Sequence, residues 1–207
     1  TVKEKNFDVN ATNKIINSKY GNPIEDEWKD IGDEKHQLRI KFKEDGIYSL
    51  KFSCKDKALN ESNEVSEGEF VIDTQAPEIS IKFDNNSPKN EIYYNSDRTA
   101  TITIDDFSFD ESKVKFSKGV VEGLSDVPSR SDFKKDGTEY FTTISFSEDG
   151  RYGFSIQCVD LAGNKSTEES CPIFVIDKTL PEISFAGVEN FSANNGIVEP
   201  IVKISEK

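Results

Sequence analysis

Carboxylates are the residues of this chain that could most readily do chemistry, because 39 acidic side chains stand against 26 basic ones. Clustered oxygen ligands of this kind hold Ca²⁺ in many proteins. The D-x-[DN]-x-[DN]-G spacing of a calcium loop does not occur, and solvated turns and edges also account for an acidic surface. We therefore expect no metal site and no cofactor. The alternative is calcium held between units, with candidate ligands Asp73, Asp105, Asp106, Asp110, Asp177 and Glu182.

Two adjacent tyrosines, Tyr93 and Tyr94, form the most ligand-like local feature of the sequence. Neighbouring residues of a strand face opposite sides, so at least one ring should be exposed. An exposed ring flanked by Asn and Asp could stack on a sugar or contact a protein, which makes both tyrosines candidate ligand contacts. The alternative, which the pattern favours, places one ring in the core and the other over a hinge.

Catalytic chemistry has few residues to use. One His and three Cys leave little room for zinc or Ser-His-Asp chemistry. The G-x-S-x-G, P-loop and H-E-x-x-H motifs do not occur. Paired carboxylates could serve a glycosidase, but so acidic a chain produces pairs by chance. We expect no catalytic residues and no enzyme activity.

Charge and hydropathy exclude further classes of protein. A net charge of −13 argues against binding to nucleic acid and to anionic membrane surfaces, which both need clustered Lys and Arg. A run of about 18 apolar residues, the length that spans a bilayer, does not occur. Aromatic residues make up 11% of the chain, which argues against disorder.

An internal repeat organises the chain. Shifting the sequence by 104 positions aligns residues 42–80 with residues 146–184 without a gap, and 20 of the 39 aligned positions are identical. Identity of this extent at a constant offset indicates tandem copies of one unit.

Each copy has the pattern of an all-β unit. Apolar residues alternate with polar ones, as in a half-buried strand, at Tyr48, Leu50, Phe52 and Cys54, and again at Tyr152, Phe154, Ile156 and Cys158. An Asp-Gly turn precedes each of these strands, at Gly46 and Gly150. Helical periodicity is not sustained anywhere. Short strands at this spacing in a unit of about 100 residues predict a β-sandwich with little helix.

The three cysteines divide into an equivalent pair and one extra residue. Cys54 and Cys158 occupy matching inward positions, so we predict them as small buried hydrophobes. Cys171 has no counterpart in the first copy. A disulfide between Cys158 and Cys171 is a candidate, but strand parity opposes it unless Pro172 introduces a bulge.

Unit boundaries follow from prolines placed just after a strand. Pro77 and Pro181 lack a backbone donor and favour a short, stiff connection. The predicted domains are 1–73, a repeat without its opening strand; 78–177, a complete repeat; and 181–207, the opening strand segment of a further repeat. We expect the chain to be two periods of a longer array, with 181–207 able to exchange strands with the first unit of a neighbouring molecule.

Several motifs resemble one known family. The runs are E-D-G-R-Y at 148–152, C-V-D-L-A-G-N at 158–164 and F-V-I-D-K-T-L-P-E-I at 174–183, together with W-x-x-x-G-D-x-x-H-x-x-x-I-x-F starting at Trp28. They are similar to the immunoglobulin-like tandem repeats of Gram-positive, often gut-dwelling, bacterial surface proteins. Tyr48 and Tyr152, each two residues after a turn glycine, resemble the tyrosine corner of such sandwiches.

The resemblance implies a role as well as a fold. It predicts tandem immunoglobulin-like β-sandwiches that act as a non-catalytic spacer, or stalk, of an extracellular protein, secreted or attached to the cell wall. The implied partners are neighbouring repeats of the same polypeptide. The alternative is an adhesive module that binds host glycan or protein.

Overall fold

The structure, a computed structural model, describes residues 1–206. Strands form nearly all of the regular secondary structure, which confirms the all-β fold class. The two helical segments in the described chain are single 3-10 turns, Val9–Ala11 and Glu111–Lys113. The chain divides into two compact units. Unit 1 comprises Thr1–Glu78 with the segments Asp105–Val114 and Cys158–Thr167, and unit 2 comprises Ile79–Ile104, Lys115–Gln157 and the chain from Glu168 onward.

Unit 1 contains three small sheets, with strand orders β1-β5-β4, β2-β7-β8 and β3-β6. The longest ladder is antiparallel and runs through β7, with β2 on one side and β8 on the other. The strands are β1 (Val2–Lys3), β2 (Asn13–Lys19), β3 (Ile24–Glu25), β4 (Lys29–Asp30), β5 (Lys35–Gln37), β6 (Ile40–Lys41), β7 (Gly46–Ser53) and β8 (Val65–Ile72).

Unit 2 holds the sheets β13-β14-β11-β9, β12-β16-β17, β10-β18-β15 and β19-β20. One pairing is parallel, between β10 and β18. The strands are β9 (Glu78–Phe83), β10 (Tyr93–Tyr94), β11 (Arg98–Asp105), β12 (Lys115–Lys118), β13 (Lys134–Asp136), β14 (Glu139–Phe146), β15 (Gly150–Tyr152), β16 (Phe154–Gln157), β17 (Glu169–Ser170), β18 (Phe174–Ile176), β19 (Glu182–Ala186) and β20 (Ile201–Ser205).

Aromatic rings fill the core of unit 2. Phe146 lies in edge contact with Phe174 at a centroid separation of 5.0 Å and stacks on Phe154 at 5.9 Å. The predicted alternation of Tyr152, Phe154 and Ile156 is confirmed, since each of these side chains is at most 3% exposed. Burial of such large apolar surfaces is the main term that stabilises a thin β-fold.

The core of unit 1 is less completely covered. Tyr48 is fully buried at 1% exposure, whereas Leu50 and Phe52 of the same strand are half-buried. The register between β7 and β8 shifts between Tyr48 and Leu50. Unit 1 therefore has the same pattern of inward-facing residues as unit 2, but it buries these residues less completely.

A tyrosine corner occurs in both repeats. The hydroxyl of Tyr48 donates to the carbonyl of Glu44 at 2.8 Å, and that of Tyr152 donates to the carbonyl of Glu148 at 2.9 Å. Each bond returns to the backbone four residues upstream, as in immunoglobulin sandwiches. These hydrogen bonds are the contacts that the resemblance of Tyr48 and Tyr152 to a tyrosine corner implies.

The loop that follows each central strand is closed by an aspartate. Asp56 accepts the backbone N–H of Asn60 at 2.8 Å, and Asp160 accepts that of Asn164 at 2.8 Å. Within these loops, Gly163 has φ +95° and the corresponding Leu59 has φ +68°. The first copy therefore keeps the left-handed turn with a leucine, in a conformation that favours glycine.

Candidate functional site

Three carboxylates meet within unit 1. Asp73 follows β8, Asp106 follows β11 and Asp160 lies in the segment Cys158–Thr167, and one oxygen of each lies within 4.8 Å of the others. Asp106 is 7% exposed and Asp160 is fully buried, while Asp73 is half-buried. We call these three residues the aspartate cluster.

Hydrogen bonds from two neighbouring residues, Ser108 and Asn164, hold the aspartate cluster together. Ser108 donates its backbone N–H to Asp106 at 2.6 Å and its hydroxyl to the carboxylate of Asp73. Asn164 donates its side-chain amide both to Asp160, at 2.9 Å, and to the backbone carbonyl of Asp73, at 3.0 Å. These bonds explain why the two loop segments belong to the same compact unit as residue 73.

The electrostatics of the aspartate cluster disfavour three full negative charges. Burial, reinforced by the charges of Asp73 and Asp160, raises the pKa of Asp106 to about 6, although hydrogen bonds from Ser108 act in the opposite direction. The ammonium group of Lys113 lies near this region, 3.5 Å from the carbonyl oxygen of Asp160 and 3.8 Å from Asp110. Binding of a cation or a proton would therefore reduce the repulsion among the three carboxylates of the aspartate cluster.

A hard divalent cation is one group that these residues could hold. Carboxylate oxygens are the ligands that Ca²⁺ prefers, although Ca²⁺ takes six to eight oxygens and the cluster supplies carboxylates from three residues. A proton on Asp106 is the other way to reduce the charge. The geometry supports either form of neutralisation.

The sequence singled out only part of the cluster. Asp73 and Asp106 are among the predicted candidate ligands and come together, whereas Asp160 is not among those candidates. The other candidates lie elsewhere: Asp110 caps the 3-10 turn through Ser112, and Asp177 accepts the N–H of Thr179. The signal that could have found Asp160 is its burial, which one sequence does not reveal.

A second polar arrangement occurs once in each repeat, at the Asp-Gly turn. Asp45 accepts the backbone N–H and the hydroxyl of Thr74, both at 3.0 Å. Asp149 accepts the N–H of Lys178 at 2.9 Å and the hydroxyl of Thr179 at 2.5 Å. The turn aspartate thus fixes the segment that follows the last strand of its own repeat, and we call this contact the linker clamp.

The linker clamp also has an electrostatic signature. The hydroxyl of Thr179 and the N–H of Lys178 lower the pKa of Asp149 below its usual value. Lys178 is further held by its ammonium group, which donates to Asp97 at 2.8 Å and to the carbonyl of Ser147 at 2.6 Å. The sequence predicts Asp45 and Asp149 as turn residues, and their recurrence at the same position of both repeats is the signal that points to a shared contact.

The two candidate tyrosines face opposite sides of β10. Tyr94 is 7% exposed and packs edge-on against Phe174, while Tyr93 is 46% exposed. Arg98, itself 8% exposed, lies over the rings of Phe83 and Tyr94 at 3.7 Å and 4.4 Å. A cavity of 340 Å³ opens beside Tyr94 and Arg98. Tyr93 is therefore the ring available to a ligand, and Tyr94 belongs to the core.

All three cysteines are free thiols. The backbone N–H of Cys171 donates to Phe154 at 2.8 Å, so Cys171 lies opposite a residue four positions before Cys158, about 13 Å along an extended strand. A disulfide needs Cα atoms within about 7 Å, so the candidate bridge between Cys158 and Cys171 does not form in this structure. Burial raises the pKa of Cys171 to about 11, which leaves it protonated and unreactive at neutral pH.

Comparison with models of protein families, with curated proteins and with solved structures gives no match. Within residues 1–206, every helical segment is too short to cross a lipid bilayer.

Proposed function

We propose that the chain is a non-catalytic spacer: a tandem array of immunoglobulin-like β-sandwiches in an extracellular bacterial surface protein, secreted or attached to the cell wall. Neighbouring repeats of the same polypeptide are its partners. The internal repeat, the all-β fold and the paired tyrosine corners support this assignment.

The observation that carries the proposal is the recurrence of the linker clamp. In a spacer, the segment that leaves each repeat should have restricted motion. Here Asp45 accepts a hydrogen bond from Thr74, and Asp149 accepts one from Thr179. A proline follows each clamped segment, at Pro77 and Pro181, and restricts the backbone further. The same device at the end of both repeats supports a structural rather than a catalytic role.

Stretching a single molecule between handles at its two ends tests the spacer. We expect discrete unfolding events, each releasing on the order of 300 Å of contour length, because about 100 residues extend by roughly 3.5 Å each. Extension at low force without discrete events would contradict a mechanical role.

An adhesive module is the second candidate, and the exposed ring of Tyr93 is the observation that favours it. Binding to a glycan or mucin array tests it, with Tyr93→Ala as the variant expected to lose the signal. Tyr93→Phe is the matched control, because it keeps the stacking surface. An array signal no higher than background for the unmodified chain would exclude this candidate.

A further inference from the structure

The first repeat has an apolar cleft lined by residues of β1, β6, β7 and β8 and by Leu38, which follows β5. The cleft has a volume of 360 Å³, and its apolar lining residues are Val2, Trp28, Leu38, Ile40, Phe52 and Val65. We call it the unit 1 cleft. Ile40 and Phe52 are half-buried there, whereas the equivalent Ile144 and Ile156 of the second repeat, 104 residues later, are each 1% exposed.

The difference has a structural cause. In unit 2, β14 lies beside β11, and β11 in turn pairs with β9, which extends the sheet over the core. The counterparts of β14 in unit 1 are β5 and β6. Among residues 1–206, β5 has only the two-residue β1 on that side, and β6 pairs with β3 alone. The unit 1 cleft therefore lies where a ribbon like β9–β11 would pack.

The chain also carries a ribbon of that type whose apolar face is uncovered. In the β19–β20 ribbon, Ile183 pairs with Ile204 and Phe185 with Val202, so these four side chains share one face. They are between 55% and 69% exposed. The opposite face carries Glu182, Ser184, Lys203 and Ser205 among its residues. One face is thus wholly apolar and the other mainly polar.

The sequence relates the ribbon to both repeats. Ile183 and Phe185 correspond to Ile79 and Ile81, which are half-buried on the less exposed face of β9. A shift of 104 positions places β20 on residues 97–101, which overlap β11, and β11 lies beside β14 as β1 lies beside β5. The ribbon therefore has the strand types that flank β14 in unit 2, and the unit 1 cleft has room for them.

We propose that the β19–β20 ribbon of one molecule docks in the unit 1 cleft of a second copy, with β20 replacing β1 beside β5. Val2 pairs with His36 in the isolated chain. If Ile204 takes the place of Val2, the antiparallel register puts Val202 opposite Leu38 and directs the apolar face of the ribbon into the cleft. This is addition of strands to an open sheet edge, in which backbone hydrogen bonds and apolar side chains both contribute.

The proposed contact joins two different surfaces, so it does not close on itself as a symmetric dimer does. Each docked molecule still offers a free ribbon or a free cleft, and association continues into longer oligomers or closes as a ring. The net charge of −13 opposes association, and salt screens this repulsion. Self-association should therefore increase with protein concentration and with ionic strength.

Sedimentation velocity of the full chain over a range of concentrations tests the assembly. We expect a series of oligomers for the wild type, and monomers for the double variant Phe185→Asp, Ile204→Asp, whose exposed positions tolerate charge without unfolding. Ser184→Asp, on the polar face of the same ribbon, is the matched control and should associate like the wild type. A wild type that stays monomeric, or a double variant that associates equally well, would overturn the proposal.

A second measurement identifies the surface that receives the ribbon. Trp28 is the single tryptophan of the chain and lines the unit 1 cleft, so its emission reports docking there. A synthetic peptide of residues 181–207, added to the double variant, should shift this emission to shorter wavelength, and the peptide carrying the same two substitutions should not. Association of the wild type without any response of Trp28 would show ribbon-to-ribbon contact instead and would contradict docking in the cleft.

Discussion

Single residues can be compared within this one chain, because the repeat places different side chains in the same backbone position. Leu59 and Gly163 both have positive φ, and a Cβ atom on Gly163 would meet no atom within 4 Å. The difference between them is therefore conformational rather than steric against neighbours. An L-residue with a Cβ pays about 1–2 kcal/mol in the left-handed region.

Replacing Leu59 by Gly should stabilise unit 1 by about 0.5–1 kcal/mol, since relief of the left-handed conformation exceeds the added entropy of the unfolded chain. The converse change, Gly163→Leu, should destabilise it by about 1 kcal/mol. Urea unfolding followed by Trp28 fluorescence measures both. Leu59→Ala keeps the strain and should give no gain, so equal stabilisation by Ala and Gly would contradict the explanation.

Asp106 should make stability depend on pH. Its pKa is about 6 when folded against 3.8 in the free side chain, so between these values the folded state binds more protons than the unfolded state. The free energy of unfolding should therefore fall as pH rises from about 4 to about 6 and stay low above that. Asp106→Asn, which mimics the neutral side chain, should have a higher melting temperature at pH 7 and a flatter pH profile.

Calcium provides the control for that experiment. If a cation rather than a proton neutralises the aspartate cluster, added calcium will raise the melting temperature of the wild type, and Asp106→Asn will lose the effect. A wild type that is less stable at pH 5 than at pH 7 in chelator would contradict the assigned role of Asp106.

At the scale of elements, the linker clamp ties a turn to the segment that leaves the repeat. Lys178 lies in that segment, and its backbone N–H and its ammonium group both donate hydrogen bonds. Proteases cleave segments that open locally, so a clamped segment is a poor substrate.

Asp149→Ala should increase the rate of trypsin cleavage after Lys178 several-fold, because it removes the acceptor of the Lys178 N–H and of the Thr179 hydroxyl. The products are identified by mass spectrometry of limited digests. Glu122→Ala removes one exposed carboxylate of unit 2 elsewhere and should leave the rate unchanged. Rapid cleavage of the wild type at Lys178 would show that the clamp does not restrain the linker.

Local sequence patterns predict the strands well, but they do not predict which distant strands pair. The inward alternation of Tyr152, Phe154 and Ile156 is a period of two within one segment, and the Asp-Gly turns are defined by their own residues. The parallel pairing of β10 with β18 joins segments about 80 residues apart, and it is this pairing that buries Tyr94. Cys171 lies between β17 and β18, outside both strands. The alternation of side chains along a strand therefore does not predict which way Cys171 faces.

The candidate site shows the same limit. The sequence predicts Asp73 and Asp106 as candidate ligands, but their proximity to Asp160 depends on the packing of three segments that are distant in sequence. A single sequence gives the types of these residues and not their proximity.

On the scale of the whole molecule, the two units should differ in stability. Unit 2 buries Ile102, Ile144 and Phe146 completely, whereas unit 1 leaves the apolar lining of its cleft half-covered. Each Å² of apolar surface that is buried stabilises the fold by about 25 cal/mol, and apolar surface left in water gives no such stabilisation.

Unfolding by denaturant should therefore occur in two steps, with unit 1 first. Trp28 fluorescence reports unit 1 alone, and far-ultraviolet circular dichroism reports both units, so the fluorescence midpoint should lie at lower denaturant. Phe146→Ala, a cavity in the core of unit 2, should move the later transition and leave the fluorescence midpoint in place. Coincident midpoints for the wild type would indicate one cooperative unit.

The hydrogen bonds from Ser108 and Asn164 to Asp73 have a consequence for how such an array could be cut or recombined. The repeating unit of the sequence is not the compact unit of the fold, because loops encoded after the Pro77 boundary belong to the compact unit that precedes it. A gene fragment ending at that boundary would encode unit 1 without the segments Asp105–Val114 and Cys158–Thr167 that pack in it. Exchange of repeats by recombination would preserve a folded product only where the incoming copy brings an equivalent serine and asparagine in those loops.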